Sequence, residues 1–259
     1  MTGMGDKVRP AASPVSVFRS LRGWWRNAAS GRGHFVAARR FVVAVTTFLR
    51  DSTPQRRRQR YGDADFDWDH RVDTTSGTVG WRDRLLGIFH SPYQPTEPAL
   101  FHEMLSALSE QTGCDFGDFV FIDLGSGKGR TLLMASDYPF RRIVGVELLP
   151  ELHSVAEENL RKYKSESQKC FALQSIGADA AEFRFPDEPI VLYLFNPLPE
   201  AGLRRVVANL EKSLRPNPRQ IYVLYHNPLL EQVLSESAAL KKVGGTHQYA
   251  MYESQADPD

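Results

Sequence analysis

FVFIDLGSGKGR, residues 119–130, decides the fold of this chain. Five of its first six residues are apolar, and Asp123 stands fifth. Such a run reads as a strand buried on both faces, the kind found at the centre of a parallel sheet. Gly125, Gly127 and Gly129 follow at alternate positions. Glycines directly after a buried strand let the backbone turn tightly and approach a ligand closely. A helix is predicted over about residues 128–136, so the stretch puts a small-molecule site at the carboxyl end of a central strand.

The glycine spacing narrows the ligand. A dinucleotide fold uses G-x-G-x-x-G, whose third glycine lets helix and strand pack closely. Here the third glycine comes one residue early, and Arg130 takes the place of that glycine. No Lys-Ser/Thr pair follows, which argues against a nucleoside triphosphate.

Working outward, strands and helices alternate. Strand 142–147 leads into helix 150–164, and strand 169–175 is followed by strand 190–195. Helix 199–213, strand 219–226 and helix 228–236 come next, and residues 239–253 read as two short strands around Gly244 and Gly245. This predicts an α/β fold: a mostly parallel, seven-stranded, doubly wound sheet with right-handed crossovers and a C-terminal antiparallel hairpin. Upstream, a helix starts near Thr96, with Pro98 in its first turn and Phe101, Met104, Leu105 and Leu108 on one face. Residues 63–92 contain the turn-rich HRVDTTSGTVG, with no clear period.

The net charge of +1 conceals an asymmetry: residues 1–60 hold 13 Lys and Arg against 2 acids, and the remainder holds 19 against 29. We divide the chain into a basic helical extension with its linker, residues 1–62, and a body, residues 63–259. Helices are expected over 16–28 and 34–50, the second with Arg39, Arg40 and Arg50 on one face and Phe35, Val42, Val45 and Leu49 on the other. Such a helix packs on the body with solvated arginines, lies on an anionic membrane surface, or grips nucleic acid. Cys114 and Cys170 have neither metal nor disulfide spacing, so no metal is expected and reduced thiols in a cytoplasmic protein are the simplest reading. No secretory leader and no apolar run of about 18 residues is seen, which leaves peripheral membrane contact as the only membrane role.

Polar residues recur at the predicted strand ends. Glu147 ends the second strand, where an acid accepts from ribose hydroxyls or caps the next helix. Asp179, after the third strand, is an acceptor at the same sheet edge or a turn-former. Asn196 and Pro197 end the fourth, and Pro197, without an N–H, stops it as a central strand. Tyr225 and His226 end the fifth, and His226 is either a base near neutral pH or structural. In SPYQPT, residues 91–96, Tyr93 offers an aromatic face to a cation, and Thr96 closes over a ligand or caps a helix.

Together these segments resemble the class I, seven-stranded S-adenosylmethionine (SAM) methyltransferases over residues 91–253: DLGSGKGR, GVE, GADA and LFNP stand in that family's order and spacing. VDTTSG, YQPT, DLGSGKGR, GVELLPELH and YLFNP are similar to a bacterial group of unassigned substrate. YQPT is also similar to protein-lysine methyltransferases of the non-SET histone type and of the mitochondrial type acting on small membrane proteins. The resemblance implies SAM as cofactor, held by Tyr93, Thr96, Asp123, Gly125, Ser126, Gly127, Gly129, Glu147, Asp179, Ala180 and Asn196. Glu147 would take the ribose, Asp179 with Ala180 the adenine, and Asp123 the methionine amino group, indirectly or through the turn. Asn196, Pro197, Tyr93 and His226 would serve the transfer itself. Amino methyltransferases acting on adenine or glutamine carry N-P-P-aromatic, whereas this chain has Asn196-Pro197-Leu198-Pro199 and so lacks the platform on which a flipped base stacks. The expected acceptor is therefore a protein side chain, lysine included, or a small molecule. The alternatives are an RNA methyltransferase using the basic arm and a SAM-binding protein without turnover.

Overall fold

The computed structural model describes residues 64–75 and 95–255. The expected helices over 16–28 and 34–50, the linker, and Tyr93 lie outside the described residues.

Strand β1, Val120–Leu124, is buried at all five positions and pairs in parallel with β2, Arg142–Glu147, and β4, Ile190–Leu194. β3, Leu173–Gly177, adds to β2, and β5, Ile221–His226, adds to β4. The hairpin β6, Leu240–Gly245, and β7, Tyr249–Ser254, follows, with β7 antiparallel to β5. The sheet order is β3-β2-β1-β4-β5-β7-β6, a seven-stranded, mostly parallel sheet with the antiparallel terminal hairpin that the sequence predicts. The order reverses between β1 and β4, which opens a crevice beyond their carboxyl ends.

Helix α1 spans Ala64–His70 and α2 Pro98–Thr112. α3, Arg130–Ala135, and α4, Pro150–Lys162, join the first three strands; α5, Glu200–Leu214, and α6, Glu231–Ser235, follow β4 and β5. Alternation along β1 splits the core. Val120, Ile122 and Leu124 pack with Leu203, Val206 and Leu210 of α5. Phe121 packs on the other face with Phe101, Met104, Leu105 and Leu108 of α2. Asp123 follows the parity of Phe121, so the pleat directs a carboxylate toward the α2 side.

Three details depart from the sequence reading. β3 begins at Leu173 because the amides of Lys169 and Cys170 both donate to the Ser136 carbonyl, at 2.7 and 2.9 Å, and anchor that stretch to the end of α3. Gly244 and Gly245 lie inside β6, not at the hairpin turn; a Cβ on Gly244 would lie 2.7 Å from Met251 Cε. Thr96 does not cap α2. The N-cap is Glu97, without a side-chain cap bond, and Thr96 Oγ1 instead meets the Tyr193 hydroxyl at 2.9 Å.

Candidate cofactor cleft

The glycine turn is fixed from two sides. The amides of Gly125 and Ser126 both donate to the Val146 carbonyl, at 2.8 and 3.1 Å, so the turn leans on β2. Gly125 has φ +88°, and a Cβ there would stand 2.6 Å from Pro197 Cβ. The turn and the Asn196-Pro197 corner therefore touch, and only glycine permits it. Gly145, inside β2, makes the matching concession: a Cβ there would lie 2.6 Å from Ser126 Oγ.

Asp123, Glu147 and Asp179, from the ends of β1, β2 and β3, line one cleft of about 230 Å³. Thr131 donates its hydroxyl to Asp123, and burial, reinforced by the charge of Glu147, pushes the Asp123 carboxyl up to about 7. Glu147 accepts from the Gly127 amide at one oxygen and the Leu149 amide at the other, both at 2.8 Å. Burial raises its pKa, and those backbone donors oppose the rise. Glu147 thus meets both sequence readings, since it tethers the start of α4 and still faces the cleft. Asp179 accepts from the Ala181 amide at 2.8 Å, in the turn-forming role, and lines the cleft beside Ala180.

Thr96, Gly125, Ser126, Asn196 and Pro197 complete the set of expected residues in the wall. Gly127 and Gly129 do not belong to it. Gly127 acts through its N–H on Glu147, and a Cβ on Gly129 would sit 3.3 Å from Ala156 in α4. Asn196, at φ +44°, uses its amide within the protein: Nδ2 donates to the Asn227 carbonyl at 2.6 Å and Oδ1 accepts from the Tyr225 hydroxyl at 2.9 Å.

His226 corrects the expectation of a base near neutral pH. Its Nδ1 lies 2.8 Å from the Tyr193 hydroxyl, its ring stacks on Phe195 at 3.9 Å, and it does not line the cleft. Burial pushes its pKa down to about 4, which leaves a neutral, weakly basic ring at physiological pH.

Several site residues were given no role by the sequence, although YLFNP, VDTTSG and DLGSGKGR contain most of them. Tyr193 bridges Thr96 and His226, holding the Pro95–Thr96 wall against β4 and β5. Residues 64–75 are fastened to the far side of the glycine turn. Lys128 Nζ pairs with Asp73 Oδ1 at 2.6 Å, and Asn159 Nδ2 donates to the carbonyls of Asp73 and Lys128, at 2.8 and 2.9 Å. Arg130 donates to Thr74 Oγ1 at 2.7 Å and pairs with Asp67 at 3.4 Å. The pairing of Lys128 with Asp73 spans 55 residues, and no local pattern announces it.

The cleft passes one test of fit for a bound group. Ser126 Oγ is buried and has no hydrogen-bond partner among the described residues, although it sits in the cleft wall. A buried hydroxyl left unpaired in a native fold calls for a partner that the described residues do not supply.

The sheet order, the terminal hairpin and a glycine turn at the switch point together define a Rossmann-like α/β fold. No protein-family profile matches the chain, and no curated protein is significantly similar to it. Solved structures similar to it include the YcgJ protein of Bacillus subtilis, at 18% identity and TM-score 0.37 over 52% of this chain and 55% of that one. The chain thus spans little more than half of that relative. Others are a ribosomal protein L11 methylase of Lactobacillus delbrueckii (18% identity, TM-score 0.40, 60% of this chain and 79% of that one). An RNA methyltransferase of Salinibacter ruber, in complex with S-adenosylhomocysteine, aligns at 19% identity and TM-score 0.39 over 64% of this chain and 95% of that one.

Proposed function

We propose that the protein is a SAM-dependent methyltransferase acting on a protein side chain, lysine included, or on a small molecule. The observation that carries this reading is the row of carboxylates from three successive strand ends around one glycine turn, with the unpaired Ser126 hydroxyl among them. Glu147, in the cleft wall and held by backbone donors, would accept from the ribose hydroxyls. Asp179 with Ala180 would take the adenine, and Asp123 would hold the methionine ammonium. When bound, SAM supplies an electrophilic methyl group on a sulfonium sulfur. The chain's contribution is to hold and orient the two reactants, an effect that reaches roughly 7–11 kcal/mol in well-aligned systems.

The RNA reading rests on the 13 Lys and Arg of residues 1–60. Against it, the cleft wall offers a single cation among the described residues, Arg130, already engaged by Thr74 and Asp67. Among the described residues no helix is long and apolar enough to cross a membrane. A transfer assay with tritiated SAM on fractionated lysate separates the acceptors. Label in protein or small-molecule fractions supports the proposal. Label confined to RNA, with salt-sensitive binding, replaces it with the alternative, and binding without any turnover leaves a SAM-binding protein.

Asp123 makes the reading pH-dependent. An ammonium binds the carboxylate, which with a pKa of about 7 is mostly protonated at pH 6 and mostly ionised at pH 8. SAM affinity is expected to rise roughly tenfold over that interval, with proton release near pH 7. Calorimetry in two buffers of different ionisation enthalpy measures both. In the ligand-free protein the sign reverses: the folded state holds a proton that the unfolded chain has lost, so this group lowers stability progressively as pH rises from about 4 through about 7.

A further inference from the structure

The ends of β4 and β5 carry the same tripeptide, Asn196-Pro197-Leu198 and Asn227-Pro228-Leu229, each after an aromatic ring. The strands pair in parallel with Leu194 opposite Tyr225, so the two corners lie side by side. Both asparagines are left-handed, at φ +44° and +48°, and the Asn196 amide bonds the Asn227 carbonyl at 2.6 Å. The leucines part ways. Leu198 is 9% exposed and packs in the core with Leu203, whereas Leu229 is 70% exposed and stands in the cleft wall. The core under the second corner is closed without it, by Val233 and Leu234.

Charge divides the cleft in the same direction. Asp123, Glu147, Asp179 and Arg130 belong to the β1–β3 side, while the wall from the twin corner, Phe195 to Leu198 with Asn227 and Leu229, holds no ionisable side chain. An exposed leucine on an uncharged wall beside a polar cofactor seat is a surface for apolar contact.

We infer that the twin Asn-Pro-Leu corner is the acceptor subsite, and that Leu229 selects acceptors whose nucleophile sits on an uncharged alkyl or aryl stem. This rests on the cofactor reading above and on the role in the transfer that the resemblance gives to Asn196 and Pro197. Among the described residues, this wall offers a phosphate-bearing acceptor no cation.

The test uses S-adenosylhomocysteine and analogues with nitrogen in place of sulfur, carrying methyl, propyl or hexyl chains, titrated calorimetrically into the full-length protein. Wild-type affinity should tighten about fourfold per added carbon over the first few carbons. In Leu229→Ser the gain per carbon, measured against the variant's own affinity for S-adenosylhomocysteine, should fall by at least half. Analogues that gain nothing with chain length, an equal gain in the variant, or a phosphate-ended chain that binds as tightly as the alkyl one would each overturn the subsite. Failure of S-adenosylhomocysteine to bind wild type would overturn the cofactor reading, and the subsite with it. N-hexyl and N-acetyl-lysyl chains then tell a small-molecule stem from a protein side chain, since either one binding tightly supports the shared chemistry.

Discussion

Gly125→Ala is expected to weaken SAM binding at least a hundredfold while the sheet stays folded. The added methyl would stand 2.6 Å from Pro197 Cβ and 3.4 Å from its Cα, and a proline ring has no rotamer that clears it. The left-handed backbone at φ +88° adds about 1–2 kcal/mol of strain for any residue with a Cβ. The only relief is to part the glycine turn from the end of β4, which pulls apart two walls of the cleft. A loss of about 2.7 kcal/mol in binding corresponds to the hundredfold change. Because the strand pairings of β1 lie before the turn, circular dichroism should keep its α/β shape, with melting lowered by about 5–10 °C. Pro197→Gly in the same chain should restore part of the binding. A double variant no better than Gly125→Ala alone would show that the contact does not matter.

Glu147→Ala carries the second large effect. Removing this carboxylate deprives the Gly127 and Leu149 amides of their acceptor, and each buried donor left unpaired costs about 1–3 kcal/mol. The turn and the start of α4 then lose their common tether, and the ribose loses its acceptor. SAM affinity should fall more than a hundredfold, and thermal stability should drop. Glu147→Gln separates the two causes. Its volume is unchanged, but one of the two backbone donors must face an amide NH₂. If the ribose contact is real, wild type should prefer S-adenosylhomocysteine over its 2′,3′-dideoxy analogue by at least tenfold, and both variants should lose that preference. An undiminished preference in Glu147→Gln would move the ribose elsewhere.

Much of this site was legible in the chain because its chemistry is tied to strand ends. A buried apolar run announces β1 and β4, and the polar residues near or just past the carboxyl ends of such runs, Asp123 and Asn196, must lie at the sheet edge. Glu147 and Asp179 follow the same logic. What the pattern could not show is which side chains meet across the fold. His226 reads as a neutral-range base until Phe195 and Tyr193 are seen to bury it. Thr96 reads as a helix cap until the Tyr193 hydroxyl is found beside it. Gly127 and Gly129 share a spacing with Gly125, yet one serves Glu147 through its amide and the other faces α4. The attachment of residues 64–75 through Lys128, Arg130 and Asn159 depends on long-range pairs that no periodicity encodes.

The central claim is that the cleft at the ends of β1, β2 and β4 seats SAM. Calorimetric titration of SAM into the full-length protein tests it most directly. The account predicts one saturable site, competed by S-adenosylhomocysteine, releasing protons near pH 7, and lost in Gly125→Ala. Absence of binding to wild type, or binding unchanged by that substitution, would contradict it.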